Sequence, residues 1–343
     1  MSSDTPLVSI LIPTYNAAPY LGNLCRSILA QTYQNFEVLI ADDGSTDNTL
    51  DVLAPFRADS RFQILTWDKN LGVSQATLPL FHLAKGEFWC HPGADDLLEP
   101  QFIQERLSRL RPGGHAAILH GQGQTINERG KPLDDVGMKL NFPAKLESPR
   151  ALRVLLQHNI IQTPSVMVST SVTKSILPLL SCDWKYAQDW YFWILHLATG
   201  FDLLWDAKPL HKYRIHSGSL SLTPSKTAIR QAEVRLVPLC GLSRAAQFSN
   251  LAMECWKVWR RSLYHLWLRR ACNLARSRTL KQEWLELGAS SYYGTSCKNA
   301  SLRSELRAHL LGIILTSWKE RKALRNQRFR VSGMAQINDP IFW

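Results

Sequence analysis

The chain has 343 residues, 45% of them hydrophobic and 20% charged, and a formal net charge of +12. That is enough apolar chain for a full core, an ordinary folded composition, and too little bias for a disordered or collagenous one. Its seven cysteines are scattered, with no CxxC pair, which excludes a zinc ribbon, argues against a disulfide framework and suits a reducing compartment.

The charge is unevenly placed. Residues 1–224 carry 19 Lys and Arg against 21 Asp and Glu, whereas residues 225–343 carry 21 against 7. The first apolar run, Val8 to Ile12, is too short for a secretory leader. The longest later run, Leu310 to Leu315, is far below the ~20 residues that cross a bilayer. A cytoplasmic protein is therefore expected.

Taken along the chain, Val8–Ile12 reads as a buried strand leaving its sheet at Pro13. Asn16 is expected to cap the next helix, whose apolar face holds Tyr20, Leu24, Ser27 and Ile28. Phe36–Ala41 reads as a second strand, followed by the loop Asp42-Asp-Gly-Ser45, a helix from about Asp47 to Phe56 and a third strand at Phe62–Thr66. A helix from about Ser74 to Ala84 leads to a strand at Glu87–His91. Later come strands near Ala116–His120 and Val166–Ser169, a helix over about Ala187–Thr199 and a short strand at Lys212–Ile215. Beyond Pro224 the pattern becomes helical to about Arg330.

Strands alternating with helices at this spacing imply βαβ units and a twisted, mostly parallel sheet flanked by helices. Ligands bind such sheets beyond the carboxyl ends of the strands. The acidic pairs Asp42-Asp43 and Asp95-Asp96 both follow strand ends, so they are expected to converge on one crevice. Carboxylates on such loops suit a divalent cation that neutralises a diphosphate. The competing readings are an Asp-turn capping the next helix at 42–43 and a helix-capping turn at 95–96. An EF-hand fails on acidic spacing, and no GxxxxGK[ST] or GxGxxG is present.

Seven blocks, in order, carry a recognisable pattern. They are Ser9-Ile-Leu-Ile-Pro-Thr-Tyr-Asn16, Gln31 to Asp47, Asn70-Leu-Gly-Val73, Ala84-Lys-Gly-Glu-Phe88, Gly93-Ala-Asp-Asp-Leu-Leu-Glu-Pro100, Gln188-Asp-Trp-Tyr-Phe-Trp193 and Tyr213 to Ser221. Together they closely resemble the family-2 glycosyltransferases of the GT-A fold, over about residues 7–222. The resemblance implies a GT-A-like, Rossmann-type catalytic domain over 1–222, with 223–343 as a basic, Trp-rich helical extension. It implies an inverting transfer from a nucleotide diphosphate sugar, with a UDP-sugar as the expected donor, to a hydroxyl of a saccharide or lipid-linked acceptor, as in bacterial surface-polysaccharide or glycolipid assembly, with Mn²⁺ or Mg²⁺. The alternative is a catalytically inactive member acting as a membrane or partner scaffold.

Residue by residue, the resemblance puts Pro13, Tyr15 and Asp43 at the nucleotide, with Tyr15 packing on the base and Asp43 accepting its ring N–H. Asp95 and Asp96 match the motif that binds the donor ribose and, through the metal, the diphosphate. His216 matches a histidine that completes the metal shell in some members. Asp189 matches the general base that deprotonates the acceptor. Its aromatic helix (Trp190, Tyr191, Trp193) would raise a carboxyl's pKa by burial. Trp184 and Trp190 could stack on acceptor sugar faces, with Trp190 the acceptor-binding candidate, although plain core packing is the slightly favoured reading of both.

Three positions depart from the family pattern. Gly93 stands where many members have the first Asp of Asp-x-Asp, Thr77-Leu78 replaces an Arg-Asn, and Gln188 replaces the Glu usual beside the base. The last change removes a like charge that would have raised the pKa of Asp189 further.

In the basic third, Trp256, Trp259, Leu263, Trp267, Ala271 and Leu274 recur at helical spacing among Lys257, Arg260, Arg261, Arg269, Arg270, Arg276 and Arg278. Residues 253–278 would dock on an anionic membrane surface as a cationic amphipathic helix, making the protein peripheral on the cytoplasmic face of the inner membrane. A second such segment runs from Leu302 to Leu324. The competing reading is a helical hairpin packed on the catalytic domain. No nucleic-acid motif is present, so no nucleic-acid partner is expected.

Overall fold

The computed structural model describes residues 5–110, 117–133, 145–180, 184, 186–219 and, of the segment that follows, 233, 237–238, 240–242 and 244–253. All of these fall within one compact unit, residues 1–259. The two basic segments proposed for membrane contact lie outside the described residues, apart from Met253 at the end of a helical stretch. Among the described residues no helix is long and apolar enough to cross a membrane.

The expected parallel sheet is present. Strand β1 (Val8–Thr14) pairs in parallel with β2 (Phe36–Asp42), β2 with β3 (Phe62–Thr66), and β1 with β4 (Phe88–Cys90). A short β8 (Val168–Ser169) closes the edge antiparallel to β4, giving the order β3-β2-β1-β4-β8. β1 and β2 are almost wholly buried, as fits strands covered on both faces, whereas edge strand β3 buries only Phe62. The first strand continues through Pro13 to Thr14.

Helix α1 (Ala18–Leu29) buries Leu21, Leu24, Cys25 and Ile28 against Val8, Ile10 and Ile12. Two expectations about it are corrected. Ala17 is the cap residue; Asn16, at a positive φ of 49°, instead accepts the Thr46 N–H at 2.8 Å and ties two loops together. Tyr20 leaves the core face and turns towards His216, with ring centres 4.8 Å apart. The helix expected from Asp47 is split by Pro55 into α2 (Thr49–Leu53) and a 3-10 turn, Ala54–Ala58. Helix α3 (Val73–Leu83) precedes β4.

A second, four-stranded sheet lies beyond β4. Strand β9 (Asp202–Arg214) is paired by β5 (Leu97–Leu98), β6 (Ala117–Ile126) and β7 (Lys145–Leu146). The short strand expected at Lys212–Ile215 is the tail of β9. Its register against β6 shifts between Gly121 and Gly123, opposite Asp206 and His211, and Pro209 sits exposed inside that irregularity. A proline is tolerated there because no ladder bond is asked of it.

Further helices among the described residues are α4 (Phe102–Leu110), α5 (Ser148–Gln157), α6 (Thr170–Ile176) and α7 (Gln188–Ala198). Every residue of α7 from Trp190 onward is buried. Trp193 stacks on Trp89 at 6.0 Å and Phe192 on Phe81 at 5.3 Å, so the aromatic helix is packed into the core beside β4.

The described parts of residues 233–253 also belong here. The Ser249 hydroxyl donates to the Ala198 carbonyl at the end of α7, and Gly241 packs on Ile194. These described residues lie in the same compact unit as α7.

Candidate active site

The ends of β1, β2 and β4 point the same way, and the register aligns Thr14 with Asp42. The loops that follow form one edge of the sheet, as the doubly wound topology requires. Tyr15, just past β1, is 46% exposed and open to a ligand, while Pro13 sits half-buried in the strand. Asp42 and Asp43 are both buried. Asp42 accepts the amide and hydroxyl of Ser45.

Asp43 is committed to the neighbouring loop: Oδ1 accepts the Leu71 N–H and Oδ2 the Gly72 N–H, each at 2.8 Å. Gly72 has a φ of +92°, which the turn of that loop requires. Gly44, at φ +71°, lies so close to the loop that an added Cβ would sit 2.6 Å from the Lys69 carbonyl carbon. Asp43 thus braces the Asn70-Leu-Gly72 loop.

The acidic pair after β4 divides its labour. Asp96 is buried and turned inward. Its Oδ1 accepts the Arg214 N–H at 3.0 Å and its Oδ2 the Gly93 N–H at 3.1 Å. Burial, and then the charge of Asp95, push its carboxyl well above the usual carboxylate range, although the Arg214 and Gly93 amides and the Arg214 charge oppose this. Asp96 thus braces the turn.

Asp95 is partly exposed, and its Oδ2 lies 2.9 Å from His216 Nε2. Arg214 fixes both ends of this arrangement. Its Nε donates to the Asp95 carbonyl, its Nη1 to the carbonyls of Asn127 and Glu128, and its guanidinium lies over the Tyr20 ring.

Among the described residues no three His, Cys, Asp or Glu side chains gather into a metal cage. Two nonetheless fit a cation. Neighbouring ligands of an octahedral ion bound at about 2.1 Å stand roughly 3 Å apart, which is the Asp95–His216 separation. Mg²⁺-like ions also commonly take only one or two protein ligands and fill the rest from phosphates and water.

Asp189 stands at the start of α7 in a separate hydrogen-bonded group. Its Oδ2 accepts from Asn159 Nδ2 at 3.0 Å and from the Thr163 hydroxyl at 3.3 Å. Its Oδ1 takes the Trp190 N–H. Burial raises its pKa, against the lowering effect of Trp190, Asn159 and Thr163. The Trp193 indole in turn donates to Thr163 Oγ1.

Trp190, assigned to the acceptor, is only 6% exposed, and its indole N–H donates to the Leu155 carbonyl. No ring face is left for a sugar, and Trp190 is core. Asn159, Thr163, Arg214 and Tyr20 are the site residues the sequence reading missed. Arg214 lies inside a quoted block and could have been found there. Asn159 and Thr163 lie in no quoted block.

Comparison with known proteins completes the picture. Residues 9–165 match the family described as "Glycosyl transferase family 2". The chain is 27% identical over 230 residues to the "Putative teichuronic acid biosynthesis glycosyltransferase TuaG" of Bacillus subtilis, covering 66% of this chain and 86% of that protein. It is 27% identical over 232 residues to the "UDP-Glc:alpha-D-GlcNAc-diphosphoundecaprenol beta-1,3-glucosyltransferase WfgD" of Escherichia coli, covering 67% and 86%. Among solved structures, S. aureus TarS 1-349 in complex with UDP superposes with a TM-score of 0.56 at 18% identity, covering 95% of this chain and 94% of that one. At that identity the likeness speaks for the fold alone.

Proposed function

The chain is a family-2 glycosyltransferase of the GT-A fold, and from that premise we propose that it is an inverting, metal-dependent transferase moving a sugar from a UDP-sugar to a saccharide or lipid-linked hydroxyl. The observation that carries the reading is the Asp95–His216 pair at the carboxyl edge of the sheet, 2.9 Å apart and held by the buried frame of Asp96 and Arg214.

Asp95 and His216 would hold a Mn²⁺ or Mg²⁺ ion, with Asp96 as the brace behind them. The ion's contribution is to neutralise the diphosphate as it leaves. Tyr15 offers an exposed ring to the base, with Pro13 beside it and Asp43 holding the loop opposite. Asp189 takes the acceptor proton as the acceptor oxygen bonds to the anomeric carbon and the carbon–diphosphate bond breaks, so attack comes from the face opposite the leaving group. Its burial-raised pKa suits a base that must take up a proton in the transition state.

The acceptor class is supported by the relatives named for teichuronic acid synthesis and for transfer to a diphosphoundecaprenol-linked sugar. A bacterial protein working at the cytoplasmic face of the inner membrane follows from that acceptor chemistry, with the basic segment 253–278 as its contact.

The test is titration of UDP into the protein with and without Mn²⁺. Affinity should rise with the ion in the wild type and lose that rise in Asp95→Ala and His216→Ala. Ion-dependent binding that survives both substitutions would remove the pair from the metal site.

A further inference from the structure

Helix α7 starts without a side-chain cap from Ala187, the residue at its cap position. Two amides at this end are instead met from far along the chain. The Tyr186 and Ala187 N–H groups both donate to Glu233 Oε2, at 2.7 and 3.0 Å. Glu233 is fully buried. A carboxylate at this end of a helix satisfies donors that have no intrahelical partner and is favoured by the helix dipole, and hydrogen bonds of this charge-assisted kind are the strong ones.

Two later described residues also meet α7. Gly241 lies against Ile194, where an added Cβ would come 3.0 Å from Cγ2, and Ser249 bonds to Ala198 at the last residue of the helix. Asp189 is the second residue of this helix, two and three positions beyond the amides that Glu233 holds. Glu233 lies outside residues 9–165, where the family match ends.

We propose that Glu233 is a positioning residue for the base: it anchors the start of α7 so that the Asp189 carboxyl is held against Asn159 and Thr163, and the catalytic unit is complete only when Glu233, Gly241 and Ser249 are docked on α7. The proposal rests on the reading of Asp189 as the base. Misplacement of a reacting group by about 1 Å can cost on the order of 100-fold in rate. The donor side, at Asp95 and His216, makes no contact with this anchor among the described bonds.

The experiment compares Glu233→Ala and Glu233→Gln in the full chain by amide hydrogen exchange over residues 184–192, by UDP affinity and by kcat. Glu233→Ala should expose the Tyr186 and Ala187 amides to exchange and lower kcat about 10- to 100-fold, with UDP affinity unchanged. Glu233→Gln keeps an acceptor oxygen and should restore both protection and most of kcat. If Glu233→Ala does not fold, Glu233→Asp, which withdraws the carboxylate by one methylene, should show the same separation of kcat from UDP affinity. Unchanged exchange, raised exchange with unchanged kcat, or a parallel loss of affinity and kcat that Glu233→Gln does not rescue would each overturn the proposal. A wild-type chain without turnover would count against the reading of Asp189. Unchanged exchange in Glu233→Ala counts against the anchor alone.

Discussion

Gly93 is where the family pattern most often has an acidic side chain, and the structure gives a reason for its absence. A Cβ built there would lie 2.7 Å from Asp95 Oδ1 and 2.8 Å from Asp96 Oδ2. Asp95 is partly exposed and can swing aside, but doing so takes it off His216. Asp96 has nowhere to go. It is buried, and its Oδ2 accepts the Gly93 amide itself. Gly93→Ala should therefore break or lengthen that bond. Hydrogen bonds to charged groups contribute about 1.5–3 kcal/mol, and crowding a packed site costs typically ~1–3 kcal/mol. A destabilisation of roughly 2 kcal/mol follows, seen as a fall of several degrees in Tm. The same displacement should weaken the rise in UDP affinity that Mn²⁺ gives, and Gly93→Asp, although it restores the family's residue, should fare no better. Thermal unfolding and nucleotide titration with and without the ion measure both effects. If Gly93→Ala matches the wild type in Tm and in ion dependence, the division of roles between Asp95 and Asp96 is wrong.

Asn159→Ala removes a donor that lowers the pKa of Asp189, so that pKa should rise further and the acid limb of the kcat–pH profile should move to higher pH. With a half-buried bond contributing ~1 kcal/mol, the move is about half to one pH unit; a limb that stays put or moves down would show that Asp189 does not govern it. Arg106 and Asp206 form a buried pair at 2.9 Å, 0% and 2% exposed. Burial outweighs the pull of Asp206 and brings the Arg106 guanidinium down to about 10, still cationic at neutral pH. Arg106→Met should cost ~3–5 kcal/mol by stranding the Asp206 charge, and denaturant unfolding that shows under 1 kcal/mol would mean that Arg109, 3.5 Å away, suffices.

The sheet and its binding edge were legible because β1, β2 and β3 are β-branched runs, each closed by a turn-forming loop. The tail of β9 was legible and its first ten residues were not, since Pro209 and the charged residues around it read as loop when seen without the register shift opposite Gly121 and Gly123. Asp95 and Asp96 are neighbours in sequence with identical chemistry. Which one turns inward follows from the Arg214 amide, which arrives from a strand more than a hundred residues later. Core packing was already the slightly favoured reading of Trp190, and its burial together with the packing of α7 against Trp89 and Phe81 agrees with it. Glu233 carried no signal for the two backbone amides it holds, which lie more than forty residues earlier.

The central claim is tested most directly by following nucleotide diphosphate release from a panel of nucleotide sugars, with acceptor and Mn²⁺, in the wild type and in Asp189→Asn. The account predicts release from a UDP-sugar in the wild type, its loss in Asp189→Asn, and UDP affinity nearly equal in the two. Release undiminished in Asp189→Asn, or UDP binding lost along with it, would contradict the account.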